Sequence, residues 1–327
     1  MNNQWSVIGP EYRVLDCTIR DGGLINDHQF SLEFVRAVYD ANVAAGVDYM
    51  EIGYKNSRNM FSVETNGCWK FCQEDDLRRA VGENSSKLKL SCMIDAAKSD
   101  WKTDVLPKQQ SPLDMIRVAF YDYQIEEALQ MIDDAFNKGY EVSANLMAVT
   151  TVEEKTLDSI LEKLCKSPAS VFVIVDSFGF ISLPQMEYLT RKYVAYASSV
   201  QKEVGVHAHN NMQLAYANTL TAARLGATRL DATIGGLGRG AGNCPMELLA
   251  GSINPSNYDL RPIYQCLENS VFPLREKIEW GPYPEFNMTG QNNVHPRAAI
   301  AARKNPDTRD RYTSFYDNLK GQSKADN

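Results

Sequence analysis

Eight short β-branched or apolar runs, each followed by room for a helix, set the strongest limit on what this chain can fold into. They are YRVLDC (12–17), YMEIG (49–53), LKLSCMI (88–94), MIRVAF (115–120), EVSANLM (141–147), VFVIVD (171–176), VGVHAH (204–209) and TRLDATI (228–234), with starts about 24 to 40 residues apart. Between them, apolar residues recur at helical spacing in SLEFVRAVYDANVAAG (31–46), QIEEALQMIDDAFNKG (124–139) and NMQLAYANTLTAARLG (211–226). Each of these stretches stops at a glycine, as helices commonly do. A strand–helix unit repeated eight times is the plan of a TIM (β/α)8 barrel, an α/β fold. The rival, a doubly wound sheet, loses ground because no G-x-G-x-x-G follows the first run. After about residue 251 the alternation gives way to helical and turn-rich sequence. The expected organisation is a catalytic barrel over 1–250 and a C-terminal helical extension over 251–327.

Composition narrows the partners. No stretch approaches the roughly 18 consecutive apolar residues of a membrane span. The start of the chain has neither a basic segment nor an apolar h-region, so no secretory signal is expected and a cytoplasmic location is the default. The net charge is −7 and the lysines and arginines are scattered, which argues against nucleic acid as the partner. Seven dispersed cysteines read as free thiols. Cys68 and Cys72 form a lone C-x3-C without further ligands nearby, and packed thiols are the expected reading over a zinc site. A homo-oligomer is expected, although the sequence supplies no interface.

In a barrel of this kind the working residues sit at the C-terminal ends of strands and in the loops that follow. The first run leads into D-C-T-I-R-D-G-G, placing Asp16, Arg20 and Asp21 at the mouth. Glu51 ends the second, Asp176 and Ser177 end the sixth as candidate substrate contacts, and H-A-H-N ends the seventh. Residues i and i+2 of a strand share a face, so His207 and His209 both aim into the mouth. Two imidazoles with the carboxylate of Asp21 suit a divalent metal ion: manganese or magnesium first, with zinc, cobalt, iron or nickel chemically admissible. The bland reading is a pair of core histidines bonded to their neighbours. Arg20 carries forked, permanently charged donors suited to a carboxylate or enolate, and equally to a salt bridge with Glu51 or Asp16. The strand-8 loop GLGRGAGN fits a close approach to a ligand, while Asn243 could instead cap the helix that follows. No lysine stands out at the mouth as a Schiff-base former, which favours metal over imine chemistry.

Taken together, TIRDGG, MEIG, VDSFG, HAHN and GRGAGN, in this order, resemble the DRE-TIM metallolyase superfamily of HMGL-like proteins, over about residues 12–250. Within it the loop GAGNCPME (240–247) is most similar to the 4-hydroxy-2-oxovalerate aldolases. The resemblance implies Asp21, His207 and His209 as metal ligands, with Asn243 completing the shell. It implies Arg20 and Glu51 as catalytic residues, and a small-molecule 2-oxo acid such as pyruvate, plus an aldehyde, as substrates. The implied reaction is a metal-dependent aldolase (carbon–carbon lyase) reaction through a pyruvate enolate. Two alternatives stay open: acetyl-CoA-dependent Claisen condensation, and a catalytically silent metabolite-binding barrel. Those aldolases carry a basic histidine where this chain has Leu24, so His28, or Tyr283 and His295 of the extension, are the substitutes to consider. Cys244 follows the Gly-Asn pair, unlike the catalytic cysteine of the coenzyme A lyases, and inherits no role.

Overall fold

The structure is a computed structural model that describes residues 12–253 and 257–325; most of the N-terminal segment considered for an export signal lies outside them. Eight parallel strands close into a barrel: β1 (Arg13–Asp16), β2 (Tyr49–Tyr54), β3 (Lys89–Asp95), β4 (Met115–Phe120), β5 (Glu141–Leu146), β6 (Val171–Asp176), β7 (Glu203–Ala208) and β8 (Arg229–Ala232). The expected TIM barrel with a helical extension is what forms. Closure comes from β1 lying on β8 in register from Arg13 opposite Arg229 to Asp16 opposite Ala232. The helix Leu32–Ala45 shows how local sequence sets each unit. The Ser31 side chain accepts from the Phe34 N–H at its start, and Gly46 ends it with φ 76°, a left-handed conformation that favours glycine.

Strand periodicity sorts side chains between two cores. Outward residues such as Met50, Ile52, Ile116, Val118, Val204, Val206 and Leu230 pack under the helices. Inward ones, among them Leu15, Cys17, Tyr49, Met115, Val171 and Val173, fill the barrel. The same parity sends Glu51 (β2), Arg117 (β4), His207 (β7) and Asp231 (β8) inward, and all four are buried. After β8 the chain turns through the helix Met246–Ile253, and helices between Leu260 and Ala325 follow. Phe286, Ala299, Phe315 and Leu319 form a small core of the extension, which Ala241 of the strand-8 loop joins. No helix of the described residues is long and apolar enough to cross a membrane.

At the opposite, N-terminal end of the barrel, Arg229 Nη2 bonds Glu141 and Glu203, each at 2.7 Å. Burial works against ionisation of both glutamates, but Arg229 and neighbouring donors hold each below the ordinary value of 4.5. In acid the unfolded chain therefore binds more protons at these sites than the native one. Their contribution to stability is complete above about pH 4.5 and is lost as pH falls through the lowered native values. Arg229→Met is expected to cost about 1.5–3 kcal/mol at pH 7 and to flatten the acid limb of a stability–pH curve measured by urea unfolding. An unchanged acid slope would contradict this.

Candidate metal centre

Asp21 lies on a single helical turn, Thr18–Gly22, that directly follows β1. His207 and His209 lie at the end of β7. Their Nε2 atoms stand 3.6 and 3.7 Å from Asp21 Oδ2, and the three ligand atoms lie within 4.8 Å of one another. Those separations are too long for hydrogen bonds but match two ligands each about 2.1 Å from one cation. His207 Nε2 is buried and has no hydrogen-bond partner, and so is Asn243 Oδ1. Unsatisfied buried polar atoms are costly, so an unpartnered imidazole nitrogen beside a carboxylate and a second imidazole fits a site for a divalent cation. Asn243 does not cap the following helix: its Nδ2 donates to Asp21 Oδ1 at 3.0 Å.

The neighbours of these groups fix their chemistry. His207 Nδ1 lies 3.0 Å from Asp231 Oδ2, whose pKa is lowered: burial opposes this, but Arg117 and His207 prevail. An ionised carboxylate only accepts, so Nδ1 carries the proton and Nε2 turns its lone pair to the site. Burial likewise opposes ionisation of Asp21, but His209, Arg20 and His207 hold its carboxyl well below the usual range. Arg20 donates from Nε to Glu51 Oε2 and from Nη1 to Asp21 Oδ2, both at 2.6 Å. Arg117 donates to Glu51 at 3.0 Å and to Asp231 at 2.6 Å. One buried chain of charges thus runs Asp231–Arg117–Glu51–Arg20–Asp21. A second group among the described residues that could hold a metal, Cys17, His207 and Asp231, has its Asp231 carboxylate and His207 Nδ1 engaged with each other and with Arg117. Cys68 and Cys72 are free and belong to neither group.

Above the site lies a cavity of about 70 Å³ on whose wall Arg20, Asp21, His207, His209, Ser177 and His295 meet, together with Leu24, Tyr54, Phe178 and Arg239. The extension closes this mouth. The Asn293 side chain accepts from the Thr150 hydroxyl and donates to the Thr150 carbonyl, and His295 Nε2 meets Arg239 Nη1 at 3.0 Å. Other expected residues fall elsewhere. Asp16 turns away from the mouth and accepts from Asn42 at 2.8 Å, so Arg20 pairs with Glu51 instead. The Asp176 carboxylate is not on the cavity wall; it accepts from the Phe180 and Ile181 N–H groups, and burial pushes its pKa up to about 7. That corrects its expected substrate contact, because the backbone of the following loop uses both oxygens. Tyr283 is also off the wall, its ring 3.6 Å beneath the Arg303 guanidinium. His28 is buried behind Tyr54, with ring centroids 5.3 Å apart, and is not a wall residue; burial, Lys70 and Arg20 press its pKa to about 3. Glu51 touches Arg20 rather than the cavity, which makes it a positioning residue. Sequence reading missed Arg117, Asp231 and Arg239. A charge at an inward position of a barrel strand, Arg117 in MIRVAF and Asp231 in TRLDATI, was the available signal for the first two.

The strand-8 loop approaches the site so closely that a Cβ on Gly238 would lie 2.0 Å from Asn243 Nδ2 and 2.6 Å from Asp21 Oδ1. Gly238→Ala is expected to weaken manganese binding about 10- to 100-fold, the scale for disturbing the groups that orient a ligand. Titration of free manganese by electron paramagnetic resonance measures it; unchanged affinity would show that the loop yields.

The chain is similar to known proteins over most of its length. The model of the HMGL-like family matches residues 11–265. A 4-hydroxy-2-oxovalerate aldolase of Thermus thermophilus is 30% identical over 277 residues, 83% of this chain and 77% of its own. An oxaloacetate decarboxylase of Mycobacterium tuberculosis is 32% identical over 299 residues, 88% and 85% respectively. Among solved structures, the N-terminal domain of a proposed aldolase from Bacteroides vulgatus superposes with a TM-score of 0.71 at 29% identity, covering 88% of this chain and 95% of that one.

Proposed function

This chain belongs to the HMGL-like family, and from that premise we propose that it is a divalent-metal-dependent carbon–carbon lyase acting as an aldolase on a 4-hydroxy-2-oxo acid. The observation that carries the reading is the convergence of Asp21 Oδ2, His207 Nε2 and His209 Nε2, the His207 nitrogen unpartnered, beside a doubly anchored Arg20. A divalent cation held by these three residues, with Asn243 Oδ1 beside them, would polarise a 2-oxo group.

The residues divide the remaining work. Cleavage of the C3–C4 bond leaves its electron pair on C3 and, by conjugation, on the 2-oxo oxygen. Arg20 supplies fixed positive charge there, and Glu51 holds its guanidinium so that no reorganisation is needed as charge develops. Asp231 keeps His207 in one tautomer. The 4-hydroxyl proton needs an acceptor, and His295 is the non-ligand imidazole on the wall. Burial and Arg239 press its pKa to about 3, so it is neutral near pH 7. Leu24 makes the wall apolar where the related aldolases place their base.

Loss of an aldehyde and loss of carbon dioxide from a 3-carboxylate leave the same enolate, so both relatives' activities suit one site. The reading is tested by incubating manganese-loaded protein with 4-hydroxy-2-oxo acids and identifying products by mass. Release of pyruvate and an aldehyde is expected. Turnover in the presence of a chelator, or thiol release from acetyl-CoA with a 2-oxo acid and no aldol cleavage, would overturn it.

A further inference from the structure

Arg239 is the guanidinium on the cavity wall that has no carboxylate partner among the described residues. Its backbone N–H donates to Asp21 Oδ1 at 3.0 Å, which places it next to the expected cation. Its Nη2 donates to the Ser177 carbonyl at 2.8 Å and its Nη1 meets His295 Nε2 at 3.0 Å, both neutral groups. Its Nε is buried with no partner at all. By contrast, Arg20 on the same wall is paired with two carboxylates. A half-buried, permanently charged arginine whose Nε is buried without a partner is costly to leave without an anion, and its planar fork is shaped for a carboxylate.

The charge count points the same way. The chain from Asp231 to Asp21 holds three carboxylates and two guanidiniums, and Arg239 brings it to neutrality. A divalent cation would then leave two positive charges, the complement of a dianion. If the cation and Arg20 meet the 2-oxo acid end, as in the retro-aldol reading on which this inference rests, Arg239 is left for a second anion on the extension side of the cavity.

We propose that Arg239 binds a second carboxylate, carried on the part of the substrate that is released, so that the preferred substrates are 4-hydroxy-2-oxo dicarboxylic acids. The C3–C4 bond breaks, the hydroxyl proton passes to a base, C4 becomes a carbonyl bearing the untouched carboxylate, and C3 takes up a proton to give pyruvate. No oxidant or reductant is required. The carboxylate on Arg239 is a spectator. Were it the group lost as carbon dioxide, the ion pair would stabilise the reactant more than the transition state and slow the step.

Two matched pairs of probes, each exchanging a carboxylate for a methyl, test this. In the first, manganese-loaded protein is expected to cleave 4-hydroxy-2-oxoglutarate with a kcat/KM about 10- to 100-fold above that for 4-hydroxy-2-oxovalerate. Arg239→Gln should lower the diacid far more than the monoacid, and Arg239→Lys should retain part of the preference. In the second, calorimetry should show the uncleavable 2-oxoglutarate binding at least about tenfold more tightly than 2-oxovalerate, with Arg239→Gln removing the difference. Equal cleavage of the two hydroxy acids, or a preference for the monoacid, overturns the inference and leaves the aldolase reading standing. Failure to cleave either sinks the aldolase reading, and the calorimetric ratio still decides Arg239: equal affinities overturn its role.

Discussion

Asp21→Asn is expected to abolish metal-dependent exchange of the methyl protons of pyruvate for deuterium, by at least about a thousandfold. The substitution keeps the size of the side chain and removes the charge at the point where His207, His209 and Arg20 meet. Changing a group that merely orients a metal ligand typically costs 10–100-fold in affinity, and here the carboxylate is itself the expected ligand. Removing a single preorganised charge stabiliser costs a further 10²–10³ in rate. The same substitution leaves Arg20 with Glu51 alone, because its Nη1 loses its anionic partner. Exchange is followed by proton NMR in deuterium oxide with manganese-loaded protein, removing the paramagnetic ion before detection. Retention of more than about a tenth of the wild-type rate would place the carboxylate outside the chemistry.

The largest effect on stability is expected from Arg117→Met. Arg117 is 1% exposed in the barrel interior and bridges Glu51 and Asp231. Removing a partner from a buried ion pair leaves an uncompensated charge and costs about 3–5 kcal/mol; here two carboxylates lose their shared cation. Because Asp231 orients His207 and Glu51 orients Arg20, the loss should reach the site as weakened manganese binding. Adding Asp231→Asn to Arg117→Met should cost less than Asp231→Asn alone, since residues in one network do not act additively. Guanidinium unfolding of the two single variants and the double variant reads this. A loss below about 1 kcal/mol for Arg117→Met would mean that water or a shifted side chain neutralises the pair.

Much of this arrangement is legible in the sequence because its periodicities are short. The eight strands announce themselves as apolar runs, and all eight appear where the runs lie. His207 and His209 could be read as a pair because a spacing of two is enough to put them on one face, and Asp21 follows from the strand-end rule. That rule fails for Asp16 and Asp176 because it gives a residue's position along the strand and not which way its side chain turns. The side chain of Asp16 is claimed by Asn42, and that of Asp176 by two backbone N–H groups of its own loop. Tyr283 and His295 are separated by 12 positions in the same extension, yet only His295 reaches the cavity; which one does so depends on how the extension packs over the barrel, a long-range outcome that no local pattern encodes. Arg239 hides in a glycine-rich loop whose glycines suggest backbone approach and draw attention from the side chain between them.

Diffraction from crystals soaked in manganese, recorded where its anomalous signal is strong, bears most directly on whether these residues share a cation. One peak is expected among Asp21 Oδ2, His207 Nε2 and His209 Nε2, roughly 2.0–2.3 Å from each. A map with no peak there, or with manganese bound only elsewhere, would contradict the assignment.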